Sequence, residues 1–396
     1  MIDVVARPRV RVAGGRAQSR PFAFLRRLDW VLMAAAFALI GFGLWVVAGI
    51  TRFDVPGEQD YFLVRQAIAA GLGFAGLVVA AAVPLDVVQR HWRVVYGATL
   101  GLMILVFLAA ETIRGSKRWI DLGVIQVQPS ELGKVLFVLA VAGFLVERAG
   151  RVTRRRTIVQ AIGLGIAPIL LVFLQPDLGT ALVYAAALFA LLFFVGVRWR
   201  HLLMLLGAAL VTILAVLWFL PAAGVEVLKP YQAERVAGFL DPDSDPSGAT
   251  WNVNQSVTAV GAGGLTGRGV VEASQTRLDY LPEHATDFAF ASLAEQRGFV
   301  GSAILLLLYL LVVWRGLRII TVAGDLYGAV VAGGLVVALM FQVFVNVGMT
   351  MGVAPVTGIP LPFVAVGGSS LVTNLVLIGV LQGIHARGIL SQRSSP

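Results

Sequence analysis

The chain has 396 residues, 58% of them apolar and 13% charged, with a formal net charge of +9 and a mean hydropathy of +0.86. A soluble domain carries about a quarter charged residues, so this composition excludes that class and points to a polytopic membrane protein. Cysteine is absent and only four histidines are present, which excludes disulfides and thiolate chemistry and leaves no zinc-binding spacing.

Residues 1–28 carry seven Arg and no apolar core with a small-residue cleavage site. They read as a disordered, Arg-rich cytoplasmic tail rather than a signal peptide. Ten spans follow, at roughly 29–50, 62–83, 92–112, 131–147, 157–174, 177–197, 202–221, 287–314, 326–350 and 366–386, each long enough to cross a bilayer with some tilt. The fold class expected is an all-α polytopic membrane protein. Residues 29–386 form its transmembrane domain, 222–286 a large extracellular loop between helices 7 and 8, and 387–396 a second cytoplasmic tail. With the N-terminus inside, 20 of the 31 Lys and Arg fall on the inner side. The block Arg151-Val152-Thr153-Arg154-Arg155-Arg156 weighs most, and both termini are expected in the cytoplasm. The acids lean the other way: 17 of 22 lie outside, as do all three lysines, Lys117, Lys134 and Lys229. An outer face rich in both signs reads as a polar site. Trp30, Trp92, Trp199 and Tyr61 stand near predicted span ends, as interface anchors do.

Four stretches carry the chemistry. In the first, Ser116-Lys117-Arg118-Trp119-Ile120-Asp121-Leu122-Gly123 leads to Gln128-Pro129-Ser130-Glu131-Leu132-Gly133-Lys134. Ser130 is a natural N-cap, and Glu131 and Lys134 share a helix face. A lysine one turn below the surface needs a partner, either Glu131 or an anionic ligand. In the second, Gln175-Pro176-Asp177-Leu178-Gly179-Thr180, Pro176 breaks a helix and Asp177 can cap the next.

The third is the loop 222–286. It holds an amphipathic piece near Tyr231–Leu240, suited to the interface. Its Asp241-Pro242-Asp243-Ser244-Asp245-Pro246 run resembles a calcium loop but has Pro246 where that loop needs Gly, so a turn is preferred. Its Gly261–Gly269 stretch suits packing better than phosphate binding. The loop ends in Leu281-Pro282-Glu283-His284-Ala285-Thr286-Asp287-Phe288. Pro282 fits a first helical position, which would put Glu283 and Asp287 on one face. Two such carboxylates can serve as a general base or a metal pair, or simply as a solvated helix start. The fourth stretch, Pro355-Val356-Thr357-Gly358-Ile359-Pro360-Leu361-Pro362-Phe363, cannot be regular helix and must be covered by protein or water. Gly367-Gly368-Ser369-Ser370 restarts the last span. Asn346 and Asn374, inside apolar runs, are expected to hydrogen-bond between helices.

Together these motifs, over about 29–386, resemble the SEDS family (shape, elongation, division and sporulation). Residues 239–246 and 355–362 look more like its elongation branch, RodA, than its division branch, FtsW. The resemblance implies ten helices and polymerisation of lipid II, an undecaprenyl-linked precursor, into glycan strands on the outer face of the cytoplasmic membrane. It also implies a class B penicillin-binding protein as transpeptidase partner, a place in the elongation machinery, and a divalent cation, Mg²⁺ or Mn²⁺. The family's catalytic acid maps to Asp287, and its cavity residues to Arg118, Lys134 and Asp279. Lys117 and Glu131 are further candidates for substrate or diphosphate binding, and Asp287 with Glu283 for the metal. Two departures stand out. The family has His directly before Thr, where this chain has Ala285 and places His284 one residue earlier. The family's Ser-Tyr before Gly-Gly is Ala365-Val366 here. A lipid II flippase and a non-catalytic scaffold for a penicillin-binding protein are the rival readings.

Overall fold

The computed structural model describes residues 26–109, 118–121, 126–225, 227–228, 232–233, 235, 238–239 and 250–393. Lys117, Lys229, the acidic run 241–246, half of 231–240 and most of the N-terminal tail lie outside the described residues. Among those described, ten apolar helices form where hydropathy places them. They are α1 (Trp30–Ile50), α2 (Tyr61–Ala82), α3 (Trp92–Ala109), α4 (Pro129–Glu147), α5 (Arg155–Leu174), α6 (Leu178–Phe194) and α7 (Trp199–Ala222). After a shorter loop helix, α8 (Trp251–Ala262), come α9 (Ala289–Val322), α10 (Leu326–Thr350) and α11 (Gly368–Arg393). Eight of the ten are long and apolar enough to cross a membrane, and α3 and α6 are shorter. The all-α expectation needs one amendment. Between α3 and α4 a two-residue antiparallel ladder joins β1 (Ile120–Asp121) to β2 (Gln126–Val127).

Helices α4, α10 and α11 are the inner ones, and α7 is almost wholly peripheral. Because lipid is as apolar as the side chains, such a bundle is held by close packing and by polar contacts between helices. The far end shows the second device. Asp29 caps α1 by accepting from the Leu32 amide at 3.0 Å. Its carboxylate also takes Arg315 Nε at 2.9 Å and Nη2 at 2.5 Å. Its own amide and carbonyl are met by the Gln382 side chain, both at 2.8 Å. One residue thereby ties α1, α9 and α11 together.

Helix α9 runs eight residues beyond its expected end, to Val322, and is broken at Gly298 (φ 64°, ψ −161°). Straight, its 34 residues would span about 50 Å, far more than the ~30 Å hydrocarbon core. The break frees backbone amides, and the glycine-rich loop takes them. Phe299 N donates to Gly264 O at 2.9 Å, and Val300 N to Leu265 O at 3.1 Å. A Cβ on Gly298 would lie 2.3 Å from Gly267 N, so neither chain could come this close with a side chain there. The glycine stretch therefore packs, as its composition favoured.

Candidate active site

Pro129 takes the first helical position of α4, where its missing N–H costs nothing. The cap is Gln128, not Ser130 as expected; Ser130 falls inside the first turn because the helix begins two residues earlier. Asp177 does cap α6, accepting from Thr180 N at 3.1 Å. Its second oxygen accepts from Gln128 Nε2 at 2.7 Å. The Gln128 amide donates to Ser369 Oγ at 3.0 Å, which brings the start of α11 to the same place. Gly179 lets the broken segment 355–363 press against α6: a Cβ there would lie 2.7 Å from Thr357 O. Three sequence motifs thus meet at one end of the bundle through backbone and capping contacts.

Lys134 is buried, with 3% of its surface exposed. Its Nζ donates to Glu131 Oε2 at 2.9 Å and to Gln342 Oε1 at 2.8 Å. Gln342 in turn donates to Pro360 O at 3.0 Å. Glu131 is one of the two partners the sequence allowed, and the pair braces the broken segment from behind.

Residues 281–288 are a run of turns, and α9 starts only at Ala289. The helical register expected for Glu283 and Asp287 therefore does not form. Glu283 has φ 55°, its carbonyl accepts from Thr286 N at 3.1 Å and Phe288 N at 3.2 Å, and its carboxylate takes the Thr286 hydroxyl at 2.9 Å. Contacts distant in sequence override the local preference. Val366 N donates to Ala285 O at 2.8 Å. Asn346 Nδ2 donates to Asp287 O at 2.9 Å and to Ile359 O at 2.7 Å. Asn346 thus clamps two irregular segments together. Asn374, expected to bridge helices, bonds within its own, donating to Ser370 O at 2.8 Å.

The Asp287 carboxylate is half-buried and sits beside Gly358. A Cβ on Gly358 (φ 72°) would lie 3.5 Å from Asp287 Oδ2 and 3.4 Å from Arg235 Nη1. Next to it is a small cavity lined by Arg118, Pro176, Leu178, Gln232, Arg235, Pro355, Val356 and Thr357. Arg118 is aimed there by hydrogen bonds to the carbonyls of Gln175, at 3.1 Å, and Pro176. Asp287, Arg118 and Arg235 are thereby brought around one broken segment. Sequence reasoning missed Arg235, a lone arginine in a polar loop with no spacing to mark it.

Asp279, expected near the cavity, is 80% exposed and faces His284 Nδ1 at 3.5 Å. His284 Nε2 meets Asp54 Oδ1, in the loop between α1 and α2, at 3.1 Å. Burial pulls the His284 pKa down. The Asp54 hydrogen bond and charge, then Asp279 and the Leu281 backbone, outweigh it, and the pKa is raised above 6.5. At Ala365-Val366, where two hydroxyls are missing, main-chain bonds hold the segment. Gln66 of α2 donates to Ala365 O at 3.1 Å and accepts from Gly367 N at 3.2 Å.

The chain has relatives among known proteins. The chain is 38% identical to the peptidoglycan glycosyltransferase MrdB of Escherichia coli, over 92% of this chain and 96% of that one. It is 35% identical to stage V sporulation protein E of Bacillus subtilis, over 90% and 96%. Its fold matches a chain of a solved peptidoglycan synthase complex that coordinates polymerization and crosslinking, with a TM-score of 0.77, 32% identity and coverage of 91% and 98%. It also matches the rod shape determining protein RodA of Thermus thermophilus, with a TM-score of 0.66, 29% identity and coverage of 90% and 96%. The family model described as cell cycle protein, covering FtsW, RodA and SpoVE, matches residues 27–388, and the chain belongs to that family.

Proposed function

We propose that this protein is a peptidoglycan glycosyltransferase that polymerises lipid II at the end of the bundle where Asp287 lies. One observation carries the reading: Asp287 and Arg235 flank Gly358, beside a cavity that Arg118 also lines. An acid beside one guanidinium, with a second lining the adjoining cavity, suits removal of a proton from an attacking hydroxyl while a diphosphate departs. Asp287 takes the proton from the C4 hydroxyl of an incoming lipid-linked disaccharide. That oxygen bonds to C1 of the growing strand, the C1–O bond to undecaprenyl diphosphate breaks, and the diphosphate leaves with its electron pair. Arg118 and Arg235 meet its charge as planar forks. Lys134, held by Glu131, steadies Gln342 and through it the Pro360 carbonyl.

The described residues hold no cluster of three or more His, Asp or Glu side chains fit for a metal ion. Magnesium, however, needs only one or two carboxylates when it arrives with a phosphate. Asp287 and Glu283 are the carboxylates that would hold it, and such an ion would neutralise charge on the leaving diphosphate. Ten crossings with both termini in the cytoplasm would place the cavity at the outer face. The distribution of Lys and Arg supports that orientation. A class B penicillin-binding protein of the elongation machinery is the partner that fits a strand-making enzyme of this kind.

The test uses purified protein with labelled lipid II and a divalent cation, with and without such a partner, and resolves glycan polymer on a gel. Polymer from the parent and none from Asp287→Asn is the expected outcome. Near-normal polymer from Asp287→Asn would remove the general base from this reading.

A further inference from the structure

Arg297, just before the break in α9, is a charge that neither the fold nor the reaction accounts for. The residue is half-buried, and its guanidinium lies over the ring of Trp45 in α1, 3.9 Å from the centroid. Among the described residues it makes no hydrogen bond or ion pair, and its nitrogens are not sealed inside the protein. The acid closest to it in sequence is already committed. Glu295 accepts from Gln275 N at 2.8 Å, Thr276 N at 2.9 Å and Thr276 Oγ1 at 2.7 Å. A charged side chain within a membrane helix calls for a partner, and a guanidinium with its edge open suits two oxygens side by side.

The depth of Arg297 says where that partner lies. Arg315, joined to Asp29 at the start of α1, marks the far boundary of the bundle. Arg297 stands 18 positions before it, with no charged residue between them. That distance is about 27 Å along a helix, close to the ~30 Å hydrocarbon core. Arg297 therefore sits at the opposite boundary, at the level of the headgroups. Trp45 is exposed there, as interface anchors are, and so are the apolar Phe299 and Val300. This flank of α1 and α9 opens to lipid, not to the cavity beside Asp287. Gln296 Nε2 donates to Gly49 O at 3.3 Å and fixes the two helices at this height. Stacking on Trp45 adds cation–π attraction and keeps the guanidinium from swinging away into water.

We infer that Arg297 and Trp45 form a binding site for the phosphate of an anionic phospholipid in the leaflet on the Asp287 side. With no acid paired to Arg297, nothing here meets an ammonium, so phosphatidylglycerol is preferred over phosphatidylethanolamine.

Full-length protein in detergent can be titrated with either lipid, and retained molecules counted by native mass spectrometry. One phosphatidylglycerol should be retained at roughly fivefold lower concentration than phosphatidylethanolamine, the usual worth of one arginine at an anionic surface. Arg297→Leu, apolar at a lipid-facing position, should lose that preference, and Arg297→Gln is the second variant if the first does not fold. Arg297→Lys keeps the charge but not the fork and should recover only part. Equal retention of the two lipids by the parent, or an undiminished preference in a folded Arg297→Leu or Arg297→Gln, overturns the proposal. So does displacement of phosphatidylglycerol by undecaprenyl diphosphate at far lower concentration, which would assign the site to the lipid carrier, or by inorganic phosphate at matching concentration, which would assign it to a soluble anion.

Discussion

The two ends of the bundle handle buried acids in opposite ways. At the far end Asp29 is 3% exposed, and its carboxylate, amide and carbonyl are matched by Arg315, Leu32 and Gln382. That charge is committed to joining three helices. At the near end Asp287 is half-buried, on a run of turns, and Asn346 holds it through its carbonyl. An acid fixed through its backbone is positioned whatever its carboxylate meets, which is what a reacting group needs. The contrast is between an acid that holds the fold and an acid that the fold holds.

That contrast breaks if isosteric changes at the two ends behave alike. Asp287→Asn should lower polymerisation by about 10²–10⁴-fold, the usual worth of a general base, with the melting temperature unmoved. Asp29→Asn keeps the cap but leaves Arg315 buried without its charge partner, a loss of about 3–5 kcal/mol. It should show as a large drop in melting temperature in detergent, with activity per folded molecule retained. The Glu131–Lys134 pair sits between these cases. Lys134→Met alone strands a buried carboxylate at a similar cost of about 3–5 kcal/mol. Joining it to Glu131→Gln should restore most of the stability and, if Lys134 is a brace, part of the activity. A stable double variant with no polymer would instead give Lys134 a direct hold on the diphosphate.

Gly358→Ala sharpens the comparison at lower amplitude. A left-handed backbone costs a non-glycine residue about 1–2 kcal/mol, and the new methyl would sit against both Asp287 Oδ2 and Arg235 Nη1. Activity should fall more than stability does, read as polymer yield against melting temperature. The reverse ranking would show that the segment carries fold rather than chemistry.

What could be read in advance follows from the range of the forces involved. The ten helices were legible because a lipid environment demands long apolar runs. The Asp177 cap and the Glu131–Lys134 pair were legible because each spans three residues. The turns at 281–288 were not. Local rules favour a helix after Pro282, and bonds from Val366 and Asn346, far along the chain, overrule them. The meeting of Arg235 with Asp287 was hidden for the same reason, since no local periodicity relates a loop arginine to an acid 52 positions later. Asn374 shows the converse: an interhelical bond was expected, and a carbonyl one turn back took the donor.

The smallest predicted effect tests the departure at His284. This ring lies three residues before Asp287 and links Asp54 to Asp279. Its pKa is raised in the folded protein despite burial, chiefly through Asp54. A raised folded value means that the stabilisation is fully present below about pH 6.5 and is lost as pH rises through the higher folded value. The melting temperature should therefore decline over that window in the parent and stay level in His284→Gln. Asp54→Asn should remove most of the slope. Asp279→Asn should change it little, because Asp279 is 80% exposed and solvent screens its charge. A parent that instead gains stability as pH rises toward about 6.5, and is level above it, would mean that the folded value lies below the unfolded one, with burial outweighing both acids. The histidine displaced by one residue would then pack as a neutral ring rather than clamp the turn that carries Asp287.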